Sequence, residues 1–240
     1  MKAVFVHKRS VLRDSHIDAS APPETWHLVP ATLEAVRQLA GEDALLFLYD
    51  FPQTGPATPL DGERGDHGLL TLVKQVSDAG GRVDGCFCCA QPSSPACSRP
   101  EARANALWVV GNQFALRLND CYVLGDSAED VEMAYRVGAR PLLLLGSRTV
   151  GEVLGNQPEH KDYPIALDLT TAVNYIDVEE EAERQLGHPR QTAVPEPATD
   201  VLYAQPELLP TITLTSGLAN DIRARMTSAR TQLTDVRRWL

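Results

Sequence analysis

Apolar positions along this chain follow two spacings. Short continuous apolar runs occur at residues 3–7, 44–49, 82–88, 120–124 and 141–145, and the segments between them carry the three-to-four spacing of amphipathic helices. Pro30 opens one such helix, with Leu33, Val36 and Leu39 on one face and Gly41 just beyond it. Residues 67–78 predict a second helix, stopped by Gly80-Gly81, residues 101–117 a third, and 128–137 a fourth that ends at Gly138. A closing helix over 168–186 contains the acidic run DVEEEAER. Strands alternating with helices predict an α/β fold, a mostly parallel sheet with helices on both faces, in a domain spanning residues 1–186. Ligands of such sheets bind beyond the carboxyl edge, where His7, Tyr49, Cys89 and Asp126 should gather.

After Gly187 the periodicity fades and prolines accumulate at 189, 195, 197, 206 and 210. Residues 187–215 therefore read as an extended or mobile linker. From about Ser216 a helical pattern returns. Ile222, Met226, Ala229, Leu233, Val236 and Leu240 form a heptad stripe, on a segment with five arginines against two aspartates. Residues 216–240 predict a basic amphipathic helix, either folded back on its own domain or binding a protein partner or a second copy.

Charge and cysteine content narrow the classes. A net charge of −10 argues against general nucleic-acid binding, since phosphate backbones reward positive surface. No stretch reaches the roughly 18–20 apolar residues of a membrane span. The first residues read as a strand rather than a secretion signal, so the cytoplasm is the expected location. Cys86, Cys88, Cys89 and Cys97 crowd together, which in a reducing compartment suggests metal before disulfides.

The chemistry concentrates in residues 121–144, CYVLGDSAEDVEMAYRVGARPLLL, a strand running into Gly125-Asp126, a second acid at Asp130, a helix, then Gly-Ala and a strand. This order resembles the fourth motif of the haloacid dehalogenase (HAD) superfamily, in the phosphatase branch that includes histidinol phosphatase and heptose bisphosphate phosphatase. The resemblance covers about residues 1–180 and implies the HAD-like, Rossmannoid sheet. In that branch the first strand ends in Asp-x-Asp-Gly, nucleophile then general acid, and the aligned residues here are His7-Lys8-Arg9-Ser10. The second motif's Thr-Asn-Gln is replaced by Tyr49-Asp50-Phe51, where the longer Tyr49 would fill the phosphate pocket. The third motif's Lys-Pro survives as Arg99-Pro100, and Asp126 and Asp130 match the fourth. The branch also carries a four-ligand structural zinc loop, of which Cys89 and Cys97 keep two positions while Gln91 and Pro95 stand at the others.

These substitutions imply that the fold persists without its chemistry. Imidazole is no substitute for a hard carboxylate ligand, and arginine stays protonated, so Arg9 is no general acid. Asp126 and Asp130 remain as weak magnesium ligands facing Arg9, Arg99 and Lys8, and Arg9 is the expected occupant of the metal position. Zinc on Cys89 and Cys97 is likewise disfavoured, with Cys86 and Cys88 pointing to the other face of their strand. His7, Lys8, Arg9 and Arg99 could instead converge on a phosphate-bearing small molecule. The expected function is a pseudophosphatase with a binding, regulatory or assembly role. The alternative is an active phosphatase acting on a sugar phosphate or related monoester through an atypical site.

Overall fold

The computed structural model describes residues 2–18, 21–41, 44–51, 61–89, 99–155, 163–186 and 210–215. Its centre is β1 (Lys2–His7), flanked by β2 (Ala44–Asp50) and by β4 (Tyr122–Gly125). With β3 (Gly85–Cys89), β5 (Arg140–Leu144), β6 (Ile165–Ala166) and β7 (Pro210–Leu214) they make a seven-stranded sheet in the order β6-β5-β4-β1-β2-β3-β7. All pairings are parallel except β3 with β7. Parallel strands are covered on both faces, which is why the central ones read as unbroken apolar runs.

The helices are α1 (Lys8–Asp14), α2 (Pro30–Leu39), α3 (Asp61–Asp78), α4 (Pro100–Gln113), α5 (Ala128–Arg136), α6 (Val150–Leu154) and α7 (Leu169–Leu186). Side chains alternate between two core layers. Val4, Val6, Leu46, Leu48 and Leu124 face Leu12, Val36, Leu72 and Ile176 of α1, α2, α3 and α7. Phe5, Phe47, Phe87 and Val123 face Leu107, Val110 and Met133 of α4 and α5. Asp14 ties α1 to its neighbours, accepting from the Thr32 hydroxyl at 2.6 Å and from the Leu169 amide at 3.1 Å.

Two features depart from the sequence pattern. Chain turns directly from β1 into α1, a helix whose buried face is only Ser10, Val11 and Leu12. Residues 210–214, inside the segment read as linker, pair antiparallel with β3 as an edge strand. The remainder of 187–215 and the heptad segment 216–240 lie outside the described residues. No described helix is long and apolar enough to cross a membrane.

Candidate functional site

Three strand ends meet at the carboxyl edge. β1 ends at His7, β2 at Asp50, and β4 passes through Gly125 into Asp126. The registers His7↔Tyr49 and Val6↔Leu124 set these ends side by side.

His7 is fully buried and caps α1, its Nδ1 accepting the Arg9 amide N–H at 3.0 Å. That bond places the ring proton on Nε2, which lies 3.9 Å from an Asp50 carboxylate oxygen. Burial first, and then the charges of Arg9, Lys8, Arg103 and Arg13, hold its pKa well below the ordinary histidine value. The imidazole is therefore neutral, and the lone pair a nucleophile would use is already engaged. Lys8 pairs closely with Asp50.

Gly125 lets the chain fold tightly into the next turn, since a Cβ there would lie 2.1 Å from the Asp130 Cβ. Ser127 caps α5, accepting from the Asp130 amide at 3.3 Å, while its hydroxyl donates to Asp130 Oδ2 at 2.8 Å. The same oxygen accepts the Asp126 amide at 3.0 Å. Burial and the neighbouring Asp126 charge raise the Asp130 pKa.

Asp126 is only 1 % exposed and is surrounded by guanidinium groups. Arg13 Nη2 lies 3.1 Å from Oδ2, Arg9 Nη2 3.4 Å from Oδ1, and Arg148 Nη2 3.5 Å from Oδ2. Arg148 also donates to the Asp126 main-chain carbonyl at 2.6 Å. Gly146 (φ +61°) makes room for the arm of Arg13, because a Cβ there would stand 3.0 Å from Arg13 Cδ. A cleft of about 10 Å³ remains beside Asp126, lined by Ser10, Arg13, Asp14, Leu144 and Gly146, enough for about one water.

Tyr49 is fully buried, its ring edge-on to His7 at 4.9 Å and stacked on Phe87. Burial and the Asp130 carboxylate push its pKa well above the ordinary tyrosine value, so it stays a neutral phenol. Arg99 is exposed at the N-cap of α4. One turn further on, Arg103 is 1 % exposed beside the Phe51 ring, and its charge acts on His7, Tyr49 and Asp130. Cys86 and Cys88 are buried and face one core layer, while Cys89 faces the other and is disulfide-bonded. A sulfur in that state does not ligate zinc; Cys97, Gln91 and Pro95 lie outside the described residues. His16, His27 and His67 are exposed.

Pattern reading thus names His7, Lys8, Arg9, Tyr49, Asp126 and Asp130, which the fold brings together, and misses Arg13, Arg103 and Arg148. Arg13 follows Arg9, and Arg103 follows Arg99, by four residues, so each pair shares a helix face; that spacing was the available signal. Arg148, in the turn after β5, carries no local signal.

His7, Asp126 and Asp130 each offer a ligand atom within 4.8 Å of the others, a potential metal cluster. Its donors and surroundings fit magnesium poorly. Magnesium prefers an octahedron of oxygens and gives up its water reluctantly, and here one of three donors is a nitrogen. A divalent ion bound to Asp126 would sit roughly 5 Å from three guanidinium groups, at a cost of about 7 kcal/mol each with an effective dielectric near ~20. The attraction of two carboxylates roughly 3 Å away is about as large, about 22 kcal/mol, which leaves nothing to offset the lost hydration.

Comparison with known proteins agrees with this fold. A HAD-hydrolase-like family model matches residues 98–172. The structure of D,D-heptose 1,7-bisphosphate phosphatase from B. bronchiseptica, complexed with magnesium and phosphate, superposes with a TM-score of 0.59 at 20% identity, covering 75% of this chain and 99% of that one. The corresponding phosphatase from Burkholderia thailandensis gives a TM-score of 0.51 at 20% identity, covering 73% and 97%. No curated protein sequence matches. The chain has the fold of the HAD superfamily, and it resembles the heptose bisphosphate and histidinol phosphatase branch.

Proposed function

We propose that this chain is a HAD-fold protein without phosphatase chemistry, acting as a binding, regulatory or assembly component. One observation carries the reading: the residue at the end of β1, aligned with the family nucleophile, is a buried neutral imidazole whose free lone pair accepts the Arg9 amide. Arg9, aligned with the general acid, is a permanent cation turned onto Asp126. The ligand on this reading is a phosphate-bearing small molecule or similar anion, met by the cationic side chains of Lys8, Arg9 and Arg99. The segment 216–240 supplies the contact with a protein partner or a second copy.

The second reading is an active phosphatase on a sugar phosphate or related monoester, with Asp50 or Asp126 as nucleophile. The His7–Asp126–Asp130 cluster is the observation in its favour. A screen of phosphomonoesters with magnesium separates the two. The binding reading expects no turnover. Turnover that is lost in Asp126→Asn and on chelation establishes the enzyme instead.

A further inference from the structure

Asp126 stands where an α/β sheet of this kind presents an acid to a cation, and side chains from two separate elements reach it. Arg9 and Arg13 project from the same face of α1, one turn apart. Two like charges at that spacing destabilise a helix, and more so in one of seven residues. Only an anion placed against both offsets that repulsion, and Asp126 is that anion. The third guanidinium is fixed independently: Arg148 donates to the carbonyls of Asp126, Leu144 and Leu145 at 2.6, 3.4 and 3.3 Å. Gly146, in the left-handed region, leaves the space through which Arg13 passes. The arrangement is built on both sides of the acid.

We propose that these guanidinium groups do permanently, within the chain, what a divalent cation would do at this position. They neutralise Asp126 and tie α1 to the ends of β4 and β5, so the folded protein neither needs nor takes magnesium. This rests on reading the site as idle, yet it concerns cation binding and stability rather than turnover. A corollary follows: taking the arginines away uncovers a cation site, because Asp126 and Asp130 would then face each other with less compensating charge.

Titration calorimetry and thermal melts with magnesium alone as the probe test this on the full chain. The wild type should give no binding heat and the same melting temperature in magnesium and in chelator. Arg13→Ala/Arg148→Ala should melt lower in chelator and regain about 5 °C or more in saturating magnesium. Adding Asp126→Asn to that variant should abolish the regain. If the double variant does not fold, Arg13→Gln alone should show the same response at smaller size. A wild type that binds magnesium, or arginine variants indifferent to it, overturns the proposal. Turnover without added metal would instead overturn the idle-site reading and leave this inference standing, whereas magnesium binding without turnover would do the reverse.

Discussion

Around His7 the fold gathers Lys8, Arg9, Arg13 and Arg103 while excluding water, and burial dominates in holding its proton affinity down. The unfolded chain takes up a proton there near the ordinary value of 6.5; the folded chain resists until well below it. The stability this contributes is complete above about pH 6.5 and is lost as pH falls from there toward the lowered folded pKa. Asp130 works in the opposite sense. Its raised pKa means that protonation favours the folded state, so its contribution is greatest in acid and is lost as pH rises through the folded value. Comparing His7→Gln with wild type isolates the first effect. The melting profile of the wild type should fall faster between pH 6.5 and 5, by up to about 1.4 kcal/mol per pH unit, and the variant should lack that component. Parallel profiles for the two proteins would show that His7 is not held neutral by the fold.

At the level of elements, β7 covers what would otherwise be an open edge at β3. Ile212 packs on the aromatic layer beside Phe87, and the close pass of the Thr213 carbonyl explains Gly85, whose Cβ would meet it at 3.0 Å. An exposed parallel-sheet edge is a template for association. Ile212→Asp should lower stability by roughly 1–2 kcal/mol, seen as a melting temperature about 2–8 °C lower, and should raise light scattering with concentration. A variant that melts and scatters like wild type would mean that β7 adds nothing to the sheet. This strand also marks how far the chain could be read from its pattern. β1, β2, β4 and β5 were legible because both their faces are buried, and α2 and α5 because Pro30, Gly41 and Gly138 bound their periodic stretches. β7 was not: its surroundings are proline-rich, Pro210 takes an edge position that needs no ladder donor, and only alternate side chains are covered. α1 was hidden for a related reason, since seven residues with three buried ones show too little periodicity. The site divides the same way. His7 and Asp126 sit at strand ends that the pattern locates, whereas Arg13, Arg103 and Arg148 reach the cluster through long side chains whose direction only packing decides.

On the scale of the whole molecule, charge is distributed unevenly. The chain carries −10 overall, yet residues 216–240 hold five arginines against two aspartates. Acidic groups concentrate on α7, where Asp177, Glu179, Glu180, Glu181 and Glu183 follow one another closely. On the proposed reading, this basic amphipathic segment meets an acidic face of a second copy, with the apolar stripe of Ile222, Met226, Ala229, Leu233, Val236 and Leu240 as the contact. Chain removal at residue 215 keeps β7 and takes away only this segment. The truncated protein should melt within a few degrees of the full chain, because it keeps every described strand and both described core layers. Its mass by sedimentation should fall to that of a single copy, while the full chain should be larger and should dissociate partly as salt shortens the screening length to roughly 3 Å near ~1 M. A full chain that is already single, or a truncation that leaves the mass unchanged, would remove self-association from the reading. Salt-insensitive assembly abolished by truncation would place the binding in the apolar stripe rather than in the arginines.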